Sequence, residues 1–129
     1  MPELRPRKSR RSFTPQSIPF AFWLYIAHAL LELVLGAVKL RGTYSGISMP
    51  PEAAKFAQHH GISLLALALL GGECARRDLI HTPTGALCSL VLCFFHTGAV
   101  IVMAFHSNTA VVLTHAPFAL GFAVHAIAG

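Results

Sequence analysis

Charge is what this chain lacks most. Only 12% of its 129 residues are Asp, Glu, Lys or Arg, against about 25% in soluble domains. With 54% hydrophobic residues and a mean hydropathy of +0.60, that shortage excludes an ordinary soluble domain with a solvated surface. Cysteine is scarce as well. Cys74, Cys88 and Cys93 are an odd number with no Cys-x-x-Cys pair, so no disulfide framework, thioredoxin-like motif or zinc knuckle follows. Cys88 and Cys93 lie in an apolar run and read as small packing residues. His-Glu-x-x-His and Glu-x-x-His patterns are missing too, which removes the helical metal motifs recognisable from sequence.

The charge that is present is unevenly placed. Net charge is +5, and five of the ten basic residues (Arg5, Arg7, Lys8, Arg10 and Arg11) fall in the first eleven positions. A basic tail beside a long apolar stretch is a topology signal and a contact for anionic lipid rather than for nucleic acid. Residues 1–17 are therefore expected to form a disordered cytoplasmic tail, and 18–129 one membrane domain. The apolar run from Ile18 to Leu40 is too long for a signal-peptide core, and it ends in Lys39-Leu40-Arg41 with no convincing cleavage site. Pro2, Pro6, Pro15 and Glu3 work against the amphipathic helix of an organelle transit peptide. The run reads as a retained helix.

The fold class expected is all-α, a bundle of four transmembrane helices. The first runs from about Pro19 to Leu40, with proline in its first turn. A polar stretch over 41–49 follows, and Pro50-Pro51-Glu52 starts the second helix, which stops near Arg76-Arg77-Asp78. Thr82-Pro83-Thr84 opens the third, which extends to Phe105. Ser107-Asn108-Thr109 turns the chain and caps the fourth, from Ala110 to Ala128. Each segment is near the roughly 20 residues that span a ~30 Å hydrocarbon core. A soluble helical bundle would need charged outer faces, and the third and fourth segments carry no Asp, Glu, Lys or Arg. In this arrangement the tail and Arg76 and Arg77 put seven basic residues on one side, against Lys39, Arg41 and Lys55 on the other. Both termini are then expected on the cytoplasmic side.

Ionisable residues at bilayer depth are costly and mark function by default. His28, Glu32, Gly36 and Lys39 are spaced four, four and three, so they share one stripe of the first helix. Ser89, Cys93 and His96 form a similar stripe on the third. Counted at 1.5 Å per residue from Pro19 and from Pro83, Glu32 and His96 both lie roughly 20 Å in, so a level Glu32–His96 pair is expected. Glu32, His96, His28 and Cys93 are the candidate site residues. Lys39, at the far end, can reach the headgroups instead of Glu32. Eight histidines invite a haem or metal reading. By backbone depth, however, His28, His96, His115 and His125 are scattered and no two appear level, while His59 and His60 point apart. No metal site and no cofactor is expected on that count.

Gly71, Gly72, Gly85, Gly98 and Gly121 suit close helix approach. Pro117 should free the carbonyl near Leu113, with Thr114 taking up the slack. Glu73 should pair with Arg76 and Arg77 at the membrane surface.

The string Leu35-Gly36-Ala37-Val38-Lys39-Leu40-Arg41-Gly42 resembles the first-helix ending of DoxX-like proteins, in which a Gly-x-x-Lys-Leu stretch closes the first span. Leu69-Leu70-Gly71-Gly72-Glu73 resembles the Gly/Glu-containing second helix of that family, so the likeness covers roughly positions 20 to 75. It implies a small four-helix membrane protein, with redox or sulfur chemistry or an accessory-subunit role. The Arg-rich tail and the many histidines depart from the family pattern. Two functions are expected on these grounds. The first is an accessory or scaffolding subunit that packs through small-residue faces against a membrane-protein partner or a second copy. The second is a redox or proton-handling membrane protein using Glu32 with His96.

Overall fold

The computed structural model describes residues 18–44 and 47–128. The tail of residues 1–17 lies outside them. Four helices make up almost all of the described chain: α1 (Ile18–Leu40), α2 (Pro51–Arg76), α3 (Pro83–Phe105) and α4 (Thr109–Ala128). The loop after α1 is more ordered than its polar sequence suggests. Its backbone forms a two-stranded antiparallel pair, β1 (Thr43–Tyr44) and β2 (Ile47–Ser48), with Thr43 opposite Ser48. Gly42, at φ +64°, turns the chain out of α1 and into it.

The helix boundaries follow local chemistry. Pro51 takes the first position of α2, where a missing N–H costs nothing. Thr82 caps α3, its hydroxyl oxygen accepting from the Gly85 amide at 3.3 Å. Asn108 does the same for α4, its side-chain oxygen accepting from the Val111 amide at 3.3 Å. Before it, Ser107 adopts φ +55° to make the tight turn. Inside α4, Pro117 is carried without a break in the helix. The Thr114 hydroxyl donates to the Ala110 carbonyl at 2.9 Å, not to the carbonyl that Pro117 releases, so the expected local repair is not made.

Backbone contacts concentrate within the α1–α2 pair and the α3–α4 pair, and few join one pair to the other. The bundle is thus two tight helical hairpins meeting along a seam. Within the first hairpin the closest approach is at Gly36 and Gly61: a Cβ on Gly36 would stand 2.9 Å from the Gly61 carbonyl, and one on Gly61 2.9 Å from that of Gly36. Only glycine lets the two backbones touch there. Gly71, Gly85 and Gly121 are likewise taken up inside the chain, whereas Gly98 faces open space.

The two surfaces of the bundle are inverted relative to a soluble protein. Phe94, Phe105 and Ile127 are more than 80% exposed, while His28, Glu32, Ser89 and His96 are completely buried. An apolar exterior around a polar interior is the distribution a bilayer selects. Helices α1, α3 and α4 are long and apolar enough to cross a membrane. Helix α2 does not meet that composition, because its apolar block from Ile62 to Leu70 is short and flanked by Gln58, His59 and His60 before it and by Glu73 and Arg76 after it. The expected four spans are therefore four helices, of which three are apolar enough to span.

Candidate functional site at the hairpin seam

The buried positions of α1 are Ala21, Tyr25, His28, Glu32 and Gly36, one every helical turn. Those of α3 are Gly85, Cys88, Ser89, Leu92 and His96. The two stripes face each other in a constant register. Tyr25 meets Ser89 sixty-four positions on, and Glu32 meets His96 at the same separation (96 − 32 = 64). Phe118 and Phe122 of α4 fill the space beside them.

Toward the end of the seam where α1 and α3 begin and α4 ends lies a hydrogen-bonded chain. The Tyr25 hydroxyl donates to the Gly85 carbonyl at 2.8 Å and sits 2.7 Å from Ser89 Oγ. Ser89 Oγ in turn lies 2.7 Å from His125 Nδ1. The ring of His81, in the loop between α2 and α3, is 6.2 Å from that of His125. Gly85 makes this possible: a Cβ there would collide with the Leu79 and Ile80 carbonyls. The loop lies directly over the start of α3.

One to two turns further along lies a second cluster of a different kind. His28 Nε2 is 3.9 Å from Glu32 Oε1, and His96 Nε2 is 4.0 Å from the same oxygen. The His28 and His96 rings meet edge to face with centroids 4.9 Å apart. His96 Nδ1 lies 2.7 Å from His115 Nδ1, so α4 contributes a third imidazole. Among the described residues, both nitrogens of His28, both oxygens of Glu32 and Nε2 of His96 are buried with no hydrogen-bond partner. A buried polar atom without a partner costs about 1–3 kcal/mol, and more when charged. Three of the residues bring one such atom each to within 4.8 Å of one another, a concentration of unpaired buried polarity that calls for an explanation. Lys39 makes no hydrogen bond to Glu32; its ammonium sits 3.2 Å from His60 Nδ1.

The level Glu32–His96 contact expected from depth counting is thus present, and His28 joins it. Cys93 does not. It stands half-buried beside the stripe, 3.9 Å from the Thr97 hydroxyl, and Leu92 occupies the buried position instead. The premise that no two histidines are level is overturned. His28 and His96 differ by one helical turn in backbone depth, but an imidazole reaches far enough to span that turn, and His96 and His115 are in direct contact. Tyr25, Ser89 and His125 were missed, although the same counting finds the first two. Tyr25 is six residues past Pro19 and Ser89 six past Pro83, so these two are level, whereas His125, three residues before the end of α4, lies most of a turn nearer the helix ends and meets Ser89 through the reach of its ring. Outside the seam, the expected surface ion pairs are present: Glu73 accepts from Arg76 Nε and Arg77 Nε, each at 2.7 Å.

Comparison with protein-family models, with curated proteins and with solved structures gives no match.

Proposed function

We propose that this chain is a four-span integral membrane protein that handles a small cation, a proton or a metal ion, at the polar seam between its two hairpins. The observation that carries the reading is the set of unpartnered, fully buried donors and acceptors on His28, Glu32 and His96. Atoms of this kind persist in a dry core when they serve something that visits it. The hydrogen-bonded chain from Tyr25 through Ser89 to His125 extends the polar path toward the loop that holds His81. This is the redox or proton-handling alternative raised by the sequence, with the work moved from one Glu–His pair to the whole seam. The DoxX-like resemblance of residues 20 to 75 adds a redox expectation to the same reading.

Helix α2 is taken as the fourth span. Its 26 residues extend roughly 39 Å at 1.5 Å per residue, and it packs along α1 from Gly61 to Gly71. Phe56, Ile62 and Leu69 are 58–74% exposed on its outer face, where lipid would lie. The distribution of basic residues supports both termini on the cytoplasmic side. The accessory-subunit reading keeps one observation in its favour, the open face around Gly98.

Reconstitution into lipid vesicles separates the two. Protein that works at the seam is expected to bind a divalent metal ion or to dissipate an imposed pH gradient, and to lose the response in a Glu32→Ala/Ser89→Ala variant that still inserts. A protein silent in both assays that purifies with a stoichiometric membrane partner would contradict the proposal.

A further inference from the structure

Resting on the small-cation reading, the geometry points to a specific occupant: a divalent first-row transition-metal ion bound by His28 Nε2, Glu32 and His96 Nε2. One ligand atom from each of the three residues lies within 4.8 Å of the others, and all three side chains are fully buried. Ligands around a zinc-sized ion stand about 2.0–2.2 Å from it, which puts them about 3.4 Å apart in a tetrahedron and at most about 4.2 Å apart. The two edges to Glu32, 3.9 and 4.0 Å, are inside that limit, and with all three atoms within 4.8 Å of one another an inward rotation of the side chains closes the set.

The surroundings have the features of a metal site's outer shell. His115 contacts Nδ1 of His96 at 2.7 Å. When His96 donates its Nδ1 proton to His115, its Nε2 lone pair is left for the ion, and the ring is held in orientation. Phe118 stacks on His96 with centroids 5.1 Å apart, and Phe122 meets His28 edge-on at 5.3 Å. Gly71 leaves room for the His28 ring, since a Cβ there would stand 3.1 Å from Nδ1. These aromatic rings and the complete burial of the three side chains keep the donors away from solvent.

The donor set also selects the ion. Two imidazoles and one carboxylate suit Zn²⁺, Fe²⁺, Co²⁺ or Cu²⁺, whereas Ca²⁺ and Mg²⁺ require more oxygens and Cu⁺ prefers sulfur. One negative carboxylate partly offsets the charge of a divalent ion, and neither of its oxygens is engaged in a hydrogen bond among the described residues. The three ligands leave at least one coordination position open. Because α1 provides two ligands and α3 the third, a bound ion would also tie the two hairpins together across their seam.

The test uses the full chain, stripped with chelator in detergent and titrated with Co²⁺, whose visible d–d bands report coordination. Binding of one ion per chain is expected, displaced by Zn²⁺ and unaffected by Mg²⁺. His28→Ala and His96→Ala should each weaken it by at least about 100-fold. His115→Ala, which removes only the outer contact, should weaken it by about 10- to 100-fold, and His59→Ala, at an exposed position outside the seam, should leave it unchanged. Glu32→Gln keeps the side chain's size, so a folded Glu32→Gln protein whose melting temperature no longer rises with Zn²⁺ would confirm the ligand role. Absence of saturable Co²⁺ binding would overturn the proposal, as would binding that survives in His28→Ala/His96→Ala through exposed His59 or His106. If metal binding fails while proton flux in vesicles still depends on Ser89 and His125, the metal site falls and the small-cation reading stands. Loss of both removes both.

Discussion

Replacing Ser89 with alanine should destabilise the bundle more than replacing Tyr25 with phenylalanine, although both changes delete one hydroxyl from the same chain. In Tyr25→Phe, the hydroxyl lost is an outer link. Ser89 keeps His125 at 2.7 Å, and the Gly85 carbonyl keeps its own acceptor role within α3. No buried atom is orphaned, so the cost is the bond itself, about 0.6 kcal/mol and at most about 1.7 for hydrogen bonds between membrane helices. Ser89→Ala removes the middle link. Tyr25 still donates to Gly85 at 2.8 Å, but His125 loses its Nδ1 partner, and its Nε2 is already buried without one. An imidazole with neither nitrogen satisfied costs about 1–3 kcal/mol. Equilibrium unfolding in mixed micelles, followed by helicity, resolves a difference of this size. Tyr25→Phe combined with Ser89→Ala should cost less than the sum of the two, because the Tyr25–Ser89 bond is removed in both singles. Tyr25→Phe at least as damaging as Ser89→Ala, or strict additivity, would refute the chain.

Gly61→Ala places a methyl 2.9 Å from the Gly36 carbonyl and 3.1 Å from the Leu40 amide. Neither can move without its helix, so a loss of about 1–3 kcal/mol is expected in the same unfolding assay, and a neutral substitution would contradict the close contact. Asn108→Ala removes the cap from α4 and should cost about 1 kcal/mol; an unchanged unfolding midpoint would show that Asn108 does not cap. A cysteine introduced as Thr43→Cys should react with a membrane-impermeant thiol reagent from the side opposite the termini. Labelling only from the side of the termini would contradict the four-span topology.

How far the sequence alone reaches depends on which physical signal each feature carries. The helices are legible because three segments without Asp or Glu other than Glu32 leave no alternative to lipid-facing surfaces, and because Thr82, Pro83, Pro51 and Asn108 mark their starts. Helix α2 is less legible: its polar ends dilute a composition average, and only its position against α1 shows how its Gly61 and Gly71 are used. The Glu32–His96 contact was legible because both lie about thirteen residues into helices that begin at the same level. His28 is legible as a site residue from the stripe it shares with Glu32, while its contact with His96 is not, because backbone depth differs from ring position. His115 is hidden because α4 runs antiparallel to α3 and must be counted from its own start: about 9 Å in, against roughly 14 Å for His96 from the end of α3. The short strand pair after α1 had no signal beyond Gly42 and a polar composition, which many loops share.

X-ray absorption at the metal edge of purified, zinc-loaded protein tests the central claim most directly. A site made by His28, Glu32 and His96 predicts a first shell of nitrogen and oxygen at about 2.0–2.1 Å, with the outer-shell scattering of two imidazoles and no sulfur. A sulfur shell at about 2.3 Å, which would place the ion on Cys74, Cys88 or Cys93, or a shell of oxygens without imidazole scattering, would contradict it.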